Sequence, residues 1–243
     1  MFEQLIAFLE GLGFTKVEAQ LQYLLNPENI PFAIWETLYA PLAATILAYL
    51  IGLPLGVLLV TGEEGGIHPL PKWLMQSLNT VINLLRSVPF LILMVLVMPL
   101  SRAILGTAIG TAATIVPLTV AAFPYIARLV EASLREVDRG VVEAAQSMGC
   151  STLQIVTKVM LPECKPSLLV GATNASITIL GYGAMAGSIG GGGLGAIALQ
   201  RGYARKQLIV MYVAVILLVV LVQILQSVGT KLATKSDKRI THK

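Results

Sequence analysis

Long stretches without any charged side chain constrain this chain more than anything else in it. Residues 37–62, 103–127, 166–200 and 207–230 contain no Asp, Glu, Lys or Arg. Each is long enough for the roughly twenty residues that carry a helix across hydrocarbon. An ionised side chain at bilayer depth costs about 2.5 to 3.5 kcal/mol even on the lenient insertion scale, so these intervals mark the crossings. Composition agrees, since 56% of the 243 residues are hydrophobic and only 12% are charged, against roughly 25% charged in a soluble domain. The expected fold is an all-α integral membrane protein.

A fifth crossing is needed for "WLMQSLNTVINLLRSVPFLILMVLVMPL", which carries Arg86 and then Pro89. The apolar part alone, 88–100, is too short. The stretch 73–85 reads as an amphipathic approach whose later part enters the membrane, with Arg86 at protein or interface and Pro89 bending the helix. The alternative is an interfacial helix followed by a re-entrant turn. With five crossings the termini lie on opposite sides. Placing the C-terminus inside gathers Lys72, Arg128, Arg135, Arg139, Lys158, Lys165 and the tail residues Lys231, Lys235, Lys238, Arg239 and Lys243 on the cytoplasmic face. The outer face then holds Lys16, Arg102, Arg201, Arg205 and Lys206. That asymmetry predicts an outer N-terminal segment over 1–32, with a surface helix at its start, a membrane domain over 33–230, and a cytoplasmic basic tail over 231–243. The modest charge of +4 sits mostly in that tail and reads as an orientation signal, which sets nucleic acid aside. Cys150 and Cys164 lack the companions of a zinc site and read as free thiols facing a reducing compartment.

Between two apolar intervals lies a polar region at about 128–166, cytoplasmic in this orientation. Within it Glu143, Ala144 and Ala145 precede Gly149, and an apolar segment through Ile155 leads to Leu161 and Pro162. The pattern predicts helix, turn, helix: Gly149 in the left-handed conformation, Ser151 capping the second helix, Pro162 stopping it. Ala144 and Ala145 form a small face, and Glu143 offers a charged contact. Such a knob suits a soluble partner that pushes on it; simple packing beneath the bundle is the other reading.

This arrangement resembles the EAA motif of permease subunits in bacterial ATP-binding-cassette importers. The likeness extends over about 34–230 and narrows to methionine-type permeases, through "RSVPFLILM", "IGTAATIVPLTVAAFPYIARLVEASLREVD" and "GYGAMAGSIGGGGLGAIALQRGY". It implies the type I importer permease fold of five spans, working as a homodimer with two ATP-binding subunits and an extracytoplasmic substrate-binding protein, in the bacterial inner membrane. Glu143, Ala144, Ala145, Gly149, Ile155, Leu161 and Pro162 would then couple to the ATPase, and the ligand would be methionine or a close analogue. Two departures stand out. Cys164, Lys165 and Pro166 replace an expected Ala-Leu-Pro, and the first thirty residues have no counterpart in the resemblance.

The run "GSIGGGGLGAIA" includes a literal G-x-G-x-x-G at Gly190, Gly192 and Gly195. It follows an apolar helix and meets Arg201 and Arg205, so dinucleotide binding is a poor fit. A turn at the outer end of a span, packed against a second copy of the subunit, fits better. The preceding span carries Asn174 and Ser176 as candidate pathway-lining groups, with Thr173 and Thr178; these hydroxyls either face a watery path or bond back to their own helix. Met185, supported by Tyr182, is a candidate gate that closes by desolvation. No G-x-x-x-x-G-K-[ST] and no G-x-S-x-G occurs, so the chain is expected to be no enzyme and to bind no cofactor or metal of its own. A gradient-driven amino-acid transporter without an ATPase is the alternative.

Overall fold

In the computed structural model the described residues, 2–11 and 13–236, contain helices and no strands. Lys238, Arg239, His242 and Lys243 of the tail lie outside them. Two short helices, α1 (Phe2–Gly11) and α2 (Val17–Leu25), precede α3 (Asn29–Thr61). Then come α4 (Lys72–Ser87), α5 (Phe90–Leu105) and α6 (Thr111–Arg135), the small helices α7 (Arg139–Ser147), α8 (Thr152–Ile155) and α9 (Leu161–Glu163), and α10 (Lys165–Ala186), α11 (Gly193–Ala196) and α12 (Leu208–Ser236).

Four stretches are long and apolar enough to cross a membrane: α3, α6, Lys165–Ile189 and α12; α4 and α5, bent by 110° at their break, supply a fifth if they count as one span. Pro89 lies at that break, where its ring excludes the residue before it from helical conformation. Helix α12 leaves Ile216, Val219, Ile224 and Leu232 each more than half exposed, as suits a helix that faces lipid.

Charge-free intervals misplace several helix boundaries. The interval 103–127 is not one helix: α5 ends at Leu105, the chain turns through Gly106 and Gly110, both at positive φ, and α6 starts at Thr111. Helix α6 then runs on into the supposed polar loop. It does so because its charges have partners. Arg128 bonds Glu131 at 2.6 Å and the Asn79 and Asn83 side chains at 2.8 and 3.0 Å, while Arg135 holds Glu63 through both nitrogens and reaches Glu131 at 3.0 Å. Helix α3 likewise starts eight residues before the interval at 37–62, so the boundary at 32/33 falls inside a helix. Ahead of α3 the chain forms two helices, α1 and α2, where a single surface helix is expected. Arg86 is exposed.

The chain divides into two compact units, Met1–Ala43, Met94–Leu118 and Ile179–Ile224 in one, Ala44–Leu93, Thr119–Thr178 and Leu225–Lys243 in the other. In the first, Ala33, Leu194, Ala198 and Ala214 form a core with Ile34, Ile197, Met211 and Leu217 around it. In the second, Leu59, Ile82 and Ala127 pack with Leu55, Met75 and Leu78. Gly52 and Gly56 bring α3 against α6 there: a Cβ at Gly56 would meet the Ala127 carbonyl and Val130, and one at Gly52 would meet Phe123 and Ile126. Backbone on one side of the clash leaves no flexible group to yield. Gly56→Val is therefore expected to destabilise the detergent-solubilised protein by about 2 kcal/mol, read as a lower unfolding temperature, whereas Gly65→Ala, in open space but at positive φ, should cost about 1 kcal/mol.

Candidate functional site: the polar knob and the glycine-bearing span

The knob is built from local hydrogen-bond chemistry. Asp138 opens α7 by accepting the Gly140 N–H at 2.6 Å. At the other end Gly149, with φ of 78°, lets the Gly149 N–H reach the Gln146 carbonyl and the Cys150 N–H reach that of Ala145. These two bonds make a Schellman closure, which retires the last carbonyls of α7. Ser151 then opens α8 with a reciprocal capping box, its hydroxyl accepting the Gln154 N–H while the Gln154 side chain accepts the Ser151 N–H. Each junction is thereby fixed by its own side chains or glycine, and the turn between the two helices has a defined angle.

Pro162 does not stop the second helix. After α8 the chain widens to a π-helix over Val156–Met160 and continues into α9, with the Leu161 N–H bonded to the Val156 carbonyl. Proline lacks an N–H and its ring presses on the carbonyl four residues back. Widening the preceding turn relieves that pressure, so the helix absorbs the proline.

Burial divides the seven predicted coupling residues. Ala145 and Ile155 are each 2% exposed and hold the knob together. Glu143, Ala144, Gly149 and Pro162 face outward, and Leu161 is half-buried. The small face expected at Ala144 and Ala145 is thus split, with Ala145 turned inward. Val141, Met148 and Leu153, outside the expected set, present apolar surface outward together with Ala144; Met148 is 76% and Leu153 72% exposed. The spacing 141, 144, 148 on one helix face was the available signal.

Along α10 the candidate pathway residues separate in the same way. Asn174, Gly181 and Met185 share one face by helical spacing, Asn174 and Met185 exposed, and a Cβ at Gly181 would meet nothing within 4 Å. Asn174 also borders a cavity of about 530 Å³ with Glu136, Glu163, Cys164, Gln226 and Thr230. Ser176 lies elsewhere: it donates to the Ala172 carbonyl at 2.8 Å and faces a groove with Leu225, Val228 and Gly229. Thr173 and Thr178 bond back to Leu169 and Asn174. Of the two readings of these hydroxyls, bonding to their own helix is the one observed, and it leaves Asn174 as the polar group of the open face. Tyr182 is half-buried.

The glycine run folds as α11 and a following π-helix, Ile197–Tyr203. Two side chains of α3 hold it. The Gly193 N–H donates to Glu36 at 2.9 Å and the Leu194 N–H to the Thr37 hydroxyl at 2.8 Å. Charge-free spacing could not reveal this role of Glu36, because the carboxylate bounds an interval without showing what it holds. Among the described residues no group of His, Cys, Asp and Glu could hold a metal ion.

The family model of the binding-protein-dependent transport system inner membrane component matches residues 52–236. The chain is 48% identical over 218 residues to the probable D-methionine transport system permease protein MetI of Vibrio cholerae serotype O1, which covers 89% of this chain and 96% of that one. The corresponding protein of Pasteurella multocida is 43% identical over 212 residues, 87% of this chain and 97% of its own. A solved structure of the MetNI methionine ABC transporter in an inward-facing conformation is similar with a TM-score of 0.84 at 42% identity, covering 86% of this chain and 96% of that chain. An amino acid ABC transporter with histidines, at 21% identity and a TM-score of 0.63 over 85% and 92% of the two chains, shares the fold.

Cys164, at the base of the knob, is 4% exposed. Burial pushes its thiol up to about 11, and the Glu136 and Glu163 carboxylates push the same way. A raised value lowers the reactive thiolate fraction at any given pH. Iodoacetamide at pH 8 is expected to modify Cys150 and spare Cys164, with Cys164 reacting progressively as pH rises toward 10. Equal rates at pH 8, read by peptide mass spectrometry, would contradict the burial argument.

Proposed function

Because the chain belongs to the family of binding-protein-dependent transport inner membrane components, we propose that it is the membrane-spanning subunit of an ATP-driven importer for methionine, D- or L-, or a close analogue. It is a multi-pass protein of the inner membrane and a permease, with ATP hydrolysis in a separate subunit. The observation that carries the reading is the knob: two short helices locked by a Schellman closure and a capping box, with Val141, Ala144, Met148 and Leu153 turned outward. Apolar side chains on a rigid polar segment serve a partner that covers them.

The functional unit is two copies of this chain with two ATPase subunits, since one chain brings one knob. The N-terminal segment and the binding protein lie outside, and the knob and basic tail lie in the cytoplasm, in accord with the distribution of Lys and Arg. The chain binds no cofactor; ATP is held by its partner. Closure of the ATPase pair draws the two knobs together and turns the spans outward, where ligand is received; hydrolysis reverses the motion. The ATPase supplies the differential affinity that shifts this two-state equilibrium. Met185, 48% exposed on the open face of α10, closes the path against its mate by excluding water, with Tyr182 beside it and Asn174 further along the same helix.

Affinity purification of the complex expressed with its genomic neighbours tests the reading directly. Two copies with two ATPase chains, and turnover that responds to methionine and its binding protein, are expected; a lone chain under the same conditions would send the assignment toward gradient-driven transport. Gly149→Asp and Glu143→Lys should each abolish uptake and weaken ATPase binding while membrane insertion persists. Asp tolerates the left-handed conformation better than most residues, so loss in that variant reports the new charge at the contact surface. Met185→Ala should raise ATP turnover in the absence of ligand, and wild-type turnover would remove the gate.

A further inference from the structure

The Glu36 carboxylate, in a helix meant to cross hydrocarbon, joins three parts of one compact unit. One oxygen accepts the hydroxyl of Thr111 at the start of α6, and the other accepts the Gly193 N–H at the start of α11. Next to it the Thr37 hydroxyl accepts the Leu194 N–H at 2.8 Å while donating to the Ala33 carbonyl at 2.7 Å. Two consecutive residues of α3 therefore cap the first amides of the segment 193–203. A charged acceptor makes the first of these bonds roughly twice as strong as a neutral one.

The glycines of this segment follow from that grip. A Cβ at Gly192 would strike Glu36 and Thr111, one at Gly193 would strike Thr37, and one at Gly195 would strike the backbone of Ala184 on α10. Gly187 meets the backbone of Ala196 in the same way, and Gly183 sits against Pro41 of α3. Further bonds connect the loop to its neighbours: Gly110 N–H to Gly190 at 2.8 Å, Gln200 to the Gly187 carbonyl at 2.6 Å, and Ser188 to the Met185 carbonyl at 2.7 Å. The end of α10 that carries Met185 is thus packed against a loop whose position Glu36 and Thr37 set.

We propose that Glu36 is the positioning residue of the outer gate: its carboxylate fixes the glycine loop to α3 and α6, and the loop in turn fixes where Met185 stands. The proposal rests on the gate reading of Met185, and the experiment separates the two. Glutamine keeps an oxygen for Gly193, and its amide can donate to Thr111, whose hydroxyl accepts as readily as it donates. Alanine keeps neither bond.

The test uses the intact complex with its ATPase subunits in lipid nanodiscs, comparing wild type, Glu36→Ala, Glu36→Gln, Thr111→Val and Met185→Ala. Two quantities are read: hydrogen exchange across 187–196 and ATP turnover without ligand. Glu36→Ala is expected to speed exchange at Gly193 and Leu194 by about tenfold or more and to raise basal turnover toward that of Met185→Ala. Glu36→Gln should stay within about twofold of wild type in both, a rescue that a general packing defect would not produce. Unchanged exchange in Glu36→Ala overturns the anchor. Faster exchange with wild-type turnover, while Met185→Ala leaks, overturns its role in gating and leaves the gate standing. If Met185→Ala does not leak either, the gate reading falls and the positioning role with it. Should Glu36→Ala fail to assemble, Thr111→Val, which frees the carboxylate from α6 and leaves its bond to Gly193, tests the hold on α6: faster exchange and turnover support the proposal, and wild-type values for both overturn the α6 part of it.

Discussion

A peptide group in hydrocarbon has no water to bond, so each amide and carbonyl must find its partner within the protein. Continuous helices solve this for α3, α6, α10 and α12. The difficulty gathers where helices begin, since four N–H groups there lack intrahelical acceptors. Side chains distant in sequence meet it in the first compact unit. Gln20, fully buried, accepts the Ile209 and Val210 N–H groups at the start of α12 and donates its own amide to the Thr15 carbonyl at 2.6 Å. Glu36 and Thr37 do the same for the glycine segment. Arg201, stacked 3.7 Å from the centroid of the Tyr23 ring, adds a further attachment between α2 and the segment preceding α12. Helix α2, which precedes the family match at 52, is therefore docked by specific polar contacts.

Close approach is the second theme. Without a hydrophobic force between helices in lipid, contact depends on how near two backbones can come. Gly52 and Gly56 supply this between α3 and α6, and Gly229 supplies it against Thr173. At Gly181, where a Cβ would meet nothing within 4 Å among the described residues, the opening coincides with the exposed face of Asn174 and Met185. On that face α10 presents one amide and an open groove, while its hydroxyls serve their own helix.

The knob follows a different rule, since it is polar and its geometry is local. Gly149, Ser151 and Gln154 are close in sequence and act on one another directly, so the helix-turn-helix and the caps at Gly149 and Ser151 were legible in the order of residues alone. The behaviour of Pro162 was not, because whether a helix ends at a proline or widens before it depends on what the following residues pack against. Likewise, residues 128–135 read as loop on charge alone. The partners that let α6 continue, Glu63, Asn79 and Asn83, come from segments about fifty to seventy positions earlier in the chain.

By itself the sequence determined that the chain is helical and membrane-embedded, how many apolar stretches it has, and which local motifs end and start its polar helices. Those properties depend on composition and on residues within a few positions of one another. Only the tertiary structure decided where each span begins, which of Ala144 and Ala145 faces outward, that Ser176 turns away from the open face of α10, and that Glu36 grips the glycine loop across 157 positions. The reason is physical: a buried polar group is acceptable or costly according to the partner it meets, and that partner is chosen by the fold.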